Sequence, residues 1–132
     1  MYLLDTNICI ALLKNHPNAV PKFAQHFQSS YLSSIVVSEL YKGVYCSQKI
    51  EQNLATLQQF ISLLHLVYFD LLAAREFGQI QGELRRIGKP TGELDAMIAA
   101  VARSRDFILV TDNLKHFQNI VNLKIENWLI NE

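Results

Sequence analysis

Two short apolar runs in this chain break off into nearly the same polar triplet. Tyr2-Leu3-Leu4 gives way to Asp5-Thr6-Asn7, and Phe107-Ile108-Leu109-Val110 gives way to Thr111-Asp112-Asn113. Runs this short, apolar without alternation, are the pattern of strands covered on both faces. Tyr31-Leu32-Ser33, Leu66-Val67-Tyr68-Phe69 and Leu123-Lys124-Ile125 are three further strand candidates. Between them, apolar residues recur at three- and four-residue steps. This spacing predicts helices over Ile8–Leu13 with Thr6 or Asn7 as cap, over Val20–Phe27, and after a Ser33 or Ser34 cap through Val37, Leu40, Tyr41 and Val44. It predicts others over Ile50–Leu64, from about Leu71 to Ile87, and over Leu94–Ser104. Pro17 ends the first helix, and Gly88-Lys89-Pro90-Thr91-Gly92 is a loop. Strands alternating with helices predict an α/β fold of three layers, a central, mainly parallel sheet flanked by helices.

Composition narrows the class. A length of 132 residues predicts one domain spanning 1–132, and a hydrophobic fraction of 50% with 18% charged residues predicts a folded chain rather than a disordered one. No apolar run approaches the roughly 20 residues of a membrane span, and Met1–Asp5 lacks the basic start of a signal peptide. The expectation is a soluble cytoplasmic protein without membrane contact. Cys9 and Cys46 are too few and too far apart for a disulfide framework or a zinc site, and are expected to be reduced, buried thiols. There is no internal repeat, no Ser–His–Asp order and no Gly-rich phosphate loop. His16, His26, His65 and His116 read as structural or exposed.

In open α/β sheets, ligands bind at the carboxyl ends of the strands. Asp5 and Asp112 stand at two such ends, and two helix starts are expected to supply Glu39 and Asp95. Together they would offer only hard oxygen ligands, which suit Mg²⁺, or Mn²⁺, better than zinc. Such ions stabilise charge developing on a phosphate and acidify water, so phosphodiester hydrolysis is the matching chemistry. Asp5, Glu39, Asp95 and Asp112 are therefore the candidate catalytic and metal-binding residues, with Thr6, Asn7, Thr111 and Asn113 around them. Plain structural roles exist for most: Asp5 as a turn cap, Asp95 at a helix N-terminus, Asp112-Asn113 as an Asx-turn. Glu39 differs, because between Val37 and Leu40 an unpaired carboxylate is costly.

Net charge is zero, from twelve basic and twelve acidic residues; with four acids gathered at one site, eight remain against twelve basic. Lys14, Lys42, Arg85, Arg86, Lys89, Arg103 and Arg105 are candidate phosphate contacts, with Arg85, Arg86 and Lys89 the best patch. Tyr41 and Tyr45 either stack bases or pack.

The ordered blocks Met1–Ile8, Ser38-Glu39-Leu40-Tyr41-Lys42-Gly43, Gly92-Glu93-Leu94-Asp95-Ala96-Met97-Ile98-Ala99-Ala100, Val110-Thr111-Asp112-Asn113 with Phe117, and Leu123–Trp128 resemble VapC-type PIN-domain toxins of bacterial VapBC toxin–antitoxin pairs. The resemblance covers nearly the whole chain. It implies a PIN-like fold and a Mg²⁺-dependent endoribonuclease acting on structured RNA such as transfer RNA. Asp5, Glu39 and Asp95 match the family's three most regular acids. Many PIN domains place the last acid where this chain has Asn113, leaving Asp112 or Asn113 as the fourth group. The resemblance also implies a cognate VapB-type antitoxin, a homodimer within a toxin–antitoxin complex, and DNA contact only through the antitoxin. The dimer and antitoxin contacts are expected from the Tyr41-Val44-Tyr45 and Leu54-Leu57-Ile61 faces, or these are core. Two alternatives stand beside it. A noncatalytic PIN-fold protein- or RNA-binding module would have lost the acids, and a haloacid-dehalogenase-type phosphotransferase would carry an acid where Asn7 stands.

Overall fold

The computed structural model describes residues 1–130; positions 131 and 132, the end of the expected domain, lie outside the described residues. Five strands, β1 (Tyr2–Leu4), β2 (Ser30–Ser33), β3 (His65–Val67), β4 (Ile108–Val110) and β5 (Lys124–Glu126), form one sheet in the order β3-β2-β1-β4-β5. Every pairing is parallel. The helices are α1 (Thr6–Leu13), α2 (Ala19–Gln25), α3 (Ser34–Tyr45), α4 (Ile50–Ser62), α5 (Leu71–Arg86), α6 (Glu93–Ser104) and α7 (Leu114–Phe117), with a 3₁₀ turn over Phe27–Ser29. The expected α/β architecture and its parallel sheet are present. The one-turn α7 and the 3₁₀ turn were not expected, because three or four residues span too little of a helical period to show one. β3 begins one residue earlier, and β5 one residue later, than the apolar runs suggest.

The strand order carries the functional consequence. From β1 the chain steps outward to β2 and β3, then returns to the other side of β1 as β4. Strand order thus reverses between β1 and β4, the switch point where α/β sheets open a crevice at their carboxyl edge. Parallel crossovers are right-handed, so the reversal also sends helices to both faces.

Leu3, Leu4, Leu32, Leu109 and Val110 have no exposed surface, and the Ala96, Ala99, Ala100 and Ala102 positions let α6 approach the core closely. Val36, Leu40 and Val44 of α3 are buried, as are Leu57 and Phe60 of α4, so these two helix faces are core. Tyr45 alone of the proposed α3 contact set is exposed. Arg103 is no phosphate contact. Its Nε donates to Glu76 at 3.0 Å, Nη1 to Glu83 and the Val121 carbonyl, and Nη2 to Glu83, tying α6 to α5 and the segment before β5. Arg105 is likewise engaged, with Asp70 at 2.9 Å. Cys9 is buried and its thiol is pushed far above the ordinary range by burial, whereas Cys46 is exposed, contrary to expectation, because it caps the C-terminal end of α3. No helix among the described residues is long and apolar enough to cross a membrane.

Candidate functional site

Asp5 is built by two elements at once. Its backbone N–H donates to the Val110 carbonyl at 2.9 Å, extending the β1–β4 ladder one residue past β1. Its side chain then caps α1, Oδ1 accepting from the Thr6 backbone N–H at 2.8 Å, so the cap is Asp5 and not the expected Thr6 or Asn7. The register pairing Leu4 with Val110 sets Thr111 beside Asp5, and Thr111 Oγ1 donates to Asp5 Oδ2 at 2.7 Å. Both residues are almost fully buried.

Glu39 arrives from β2, the neighbour of β1 on the other side. Ser33 ends β2 and caps α3 through a bond from the Val36 N–H to its Oγ. Glu39 is thus in the middle of α3, not at its start as expected. Thr6 Oγ1 donates to Glu39 Oε1 at 2.8 Å, which joins the first turn of α1 to α3. Asp95 lies in the first turn of α6 as expected, after the Gly92 N-cap, and its Oδ2 stands 2.9 Å from His116 Nδ1 in α7.

The Asp5 carboxyl is held above the ordinary carboxylate range. Burial is the main cause, opposed by the bonds from Thr111 and Thr6, and the negative charges of Asp95 and Glu39 raise it further. Asp5 therefore senses the charges of both Asp95 and Glu39 at the switch point. Asp112 is not among the charges acting on Asp5. It is exposed, and its Oδ1 accepts from Asn127 Nδ2 at 2.9 Å. Side chains alternate along an extended segment, so where Thr111 turns toward Asp5, Asp112 turns away. Asn113 is exposed and touches the cluster through its backbone, whose N–H donates to Thr111 Oγ1 at 3.0 Å.

Among the described residues, no three His, Cys, Asp or Glu side chains are already gathered as ligands of one ion. Instead, an oxygen of each of Asp5, Glu39 and Asp95 is engaged by a threonine or by His116. The donor set still fits a hard divalent cation: it is all oxygen, its members repel one another, and the Asn7 Oδ1 in the same first turn of α1 is buried without a partner. Of the basic candidates, Lys14 lines a groove that also includes Thr6 and Glu39, whereas Lys42, Arg85, Arg86 and Lys89 are simply exposed. The residue that sequence reasoning left aside is His116. Its one visible signal is position, directly before the apolar Phe117 and four residues after Asp112.

The PIN domain family matches residues 2–122. The chain belongs to the PIN-domain family. Over 128 residues this PIN-domain chain is 41% identical to the tRNA(fMet)-specific endonuclease VapC of Shigella flexneri, covering 96% of this chain and 97% of the relative. Its fold matches a chain of the DNA-bound VapBC structure from Salmonella typhimurium with a TM-score of 0.92 and 41% identity, covering 96% and 97% of the two chains. VapBC2 of Rickettsia felis, bound to a promoter DNA fragment, matches with a TM-score of 0.89 and 36% identity over 96% and 98%. The family and fold implied by the ordered motifs are thus borne out, and the chain stands with the VapC members of the PIN-domain family.

Proposed function

We propose that this PIN-domain chain is the ribonuclease toxin of a toxin–antitoxin pair, cleaving phosphodiester bonds of structured RNA, transfer RNA in particular, with Mg²⁺ or Mn²⁺ held by Asp5, Glu39 and Asp95. The observation that supports the reading is the burial of Asp5 at the β1–β4 switch point, where the charges of Asp95 and Glu39 help raise its carboxyl. The names of the 41%-identical relatives, a tRNA(fMet)-specific endonuclease among them, support the substrate class. A bound divalent ion supplies electrostatic stabilisation of the charge that develops on the phosphate. The protein's own part is placement: Thr111 fixes the Asp5 carboxylate, Thr6 fixes Glu39, and burial keeps Asp5 out of bulk water. Asp112 has the outer place in this scheme and contributes less than the other three, since Asn127 holds its carboxylate at the periphery.

The partner is a VapB-type antitoxin, as in the VapBC complexes that the fold resembles, and DNA contact is made through it. Its inhibitory segment enters beside Glu39, where a groove of about 540 Å³ is lined by Ile10, Leu13, Lys14, Gly43 and Leu57. A basic side chain from that segment then faces the carboxylates. The pair acts in the cytoplasm, with the toxin as a homodimer.

Purified protein incubated with transfer RNA tests the activity. Cleavage is expected with Mg²⁺, is abolished by EDTA, and falls by more than about a hundredfold in Asp5→Asn, beyond what loss of a supporting contact gives. Cleavage that persists in EDTA or in a folded Asp5→Asn variant overturns the metal-site reading. A folded parent that binds RNA without cutting it under any divalent ion favours a noncatalytic binding module.

A further inference from the structure

Besides Thr6 and Thr111, His116 places a side chain from outside the acidic set against one of its carboxylates among the described residues. Nδ1 stands 2.9 Å from Asp95 Oδ2. A nitrogen lone pair facing a carboxylate oxygen at that distance would be repulsive, so Nδ1 is the nitrogen that carries the proton. The backbone that carries the ring is fixed on both sides. The His116 backbone carbonyl accepts from Thr91 Oγ1 at 2.8 Å, fastening α7 to the loop that leads into Asp95. The next residue, Phe117, has no exposed surface and anchors α7 in the core. Asp95 needs such a guide. It follows Gly92, which offers no side-chain cap, and His116 is its one ion-pair partner among the described residues.

The pair contributes little as a stability element, because the His116 side chain is 54% exposed and water screens it. Its geometry matters instead for which way Asp95 presents its oxygens. We propose that His116 is the positioning residue of this site: by holding one Asp95 oxygen through Nδ1–H, it presets the carboxylate to receive a divalent ion beside Asp5 and Glu39. The inference rests on the reading of those acids as a metal site. It assigns to α7, a four-residue helix, the task of completing a site whose ligands all lie on other elements.

The test compares the full chain with His116→Ala and His116→Asn by Mn²⁺ titration followed by electron paramagnetic resonance, with thermal unfolding of the metal-free proteins alongside. Asn is the informative replacement, because its amide nitrogen is the same number of bonds from Cβ as Nδ1. Mn²⁺ affinity is expected to fall about tenfold or more in His116→Ala, to be largely rescued in His116→Asn, and the unfolding midpoint is expected to move by no more than about a few degrees in either. RNA cleavage by His116→Ala should fall at limiting Mg²⁺ and recover as Mg²⁺ saturates. A parent that binds no Mn²⁺ overturns the metal site and this inference together. A parent that binds Mn²⁺ while His116→Ala binds it equally or more tightly overturns the positioning role alone, as does an Asn variant no better than the Ala variant.

Discussion

At the residue scale, the site stores its own repulsion. Asp5 is buried, and although Thr111 and Thr6 donate to it, burial and the charges of Asp95 and Glu39 outweigh them and raise its carboxyl. A raised value means the native state holds the Asp5 proton more tightly than the unfolded chain does. Ionising Asp5 therefore costs native stability, a cost absent below the ordinary value of 3.8 and fully present above the raised one. Asp5→Asn should then unfold at a higher temperature than the metal-free parent at neutral pH, with the difference closing as the pH is lowered toward the ordinary carboxyl value. Adding Mg²⁺ should narrow or reverse the order, since only the parent gains from binding. Calorimetry at several pH values with and without Mg²⁺ checks this; a less stable Asp5→Asn at neutral pH without metal is the contrary result. Asp5, Glu39 and Asp95 could be singled out in the sequence because each sits in a block that resembles the VapC-type motifs. His116 could not be, since an exposed histidine in a single helical turn carries no period, and the acid it meets, Asp95, lies on another helix. The orientation of Asp112 was also out of reach: only the β1–β4 register decides that Thr111, and not its neighbour, turns to Asp5.

At the scale of elements, the positions of the acids depend on ties between helices that the sequence does not announce. Arg103 shows this. As a sequence feature it is one of seven basic candidates for a phosphate, yet its guanidinium is spent on Glu76, Glu83 and the Val121 carbonyl, with only 10% of the side chain exposed. Removing it leaves two partly buried carboxylates without their cation beneath the helix that carries Asp95. Arg103→Ala should cost about 2–3 kcal/mol in denaturant unfolding, below the range for a fully buried pair because Glu83 retains 34% side-chain exposure. The bond from Arg103 lowers the Glu83 carboxyl. The part of this stability linked to Glu83 is thus present above its ordinary value and is lost as pH falls through the lowered one. An Arg103→Ala protein as stable as the parent at neutral pH would remove the tie from the account. The long helices were readable because α3 to α6 repeat their apolar residues over three or more turns. Ser33 is the observed cap of α3, which puts Glu39 six residues on, in the second turn rather than at the helix start.

At the scale of the whole molecule, charge and shape divide between two partners. With no net charge, the chain offers RNA little long-range attraction, so under the proposed function an acidic centre at the switch point would need a divalent ion before a phosphate could approach. An inhibitor of the proposed kind would face no such barrier: a basic segment would be drawn to the same carboxylates, and the apolar groove between α1, α3 and α4 would give it somewhere to lie. Gly43 is the point at which this can be tested without disturbing the fold. It lines the groove from the interior of α3, and a Cβ there would meet nothing within 4 Å. Glycine inside a helix costs roughly 0.5–1 kcal/mol relative to alanine, so Gly43→Ala should raise stability by about that amount. Gly43→Phe should fold as well but project its ring into the groove, where it displaces the apolar part of the inhibitory segment. Affinity for the cognate antitoxin, measured by calorimetry on the folded variants, should be near the parental value for Gly43→Ala and lower by at least about tenfold for Gly43→Phe, which is 1.4 kcal/mol or more of lost binding. Parental antitoxin affinity in a folded Gly43→Phe protein would move the inhibitory segment out of this groove and leave the acidic cluster as its sole point of attachment.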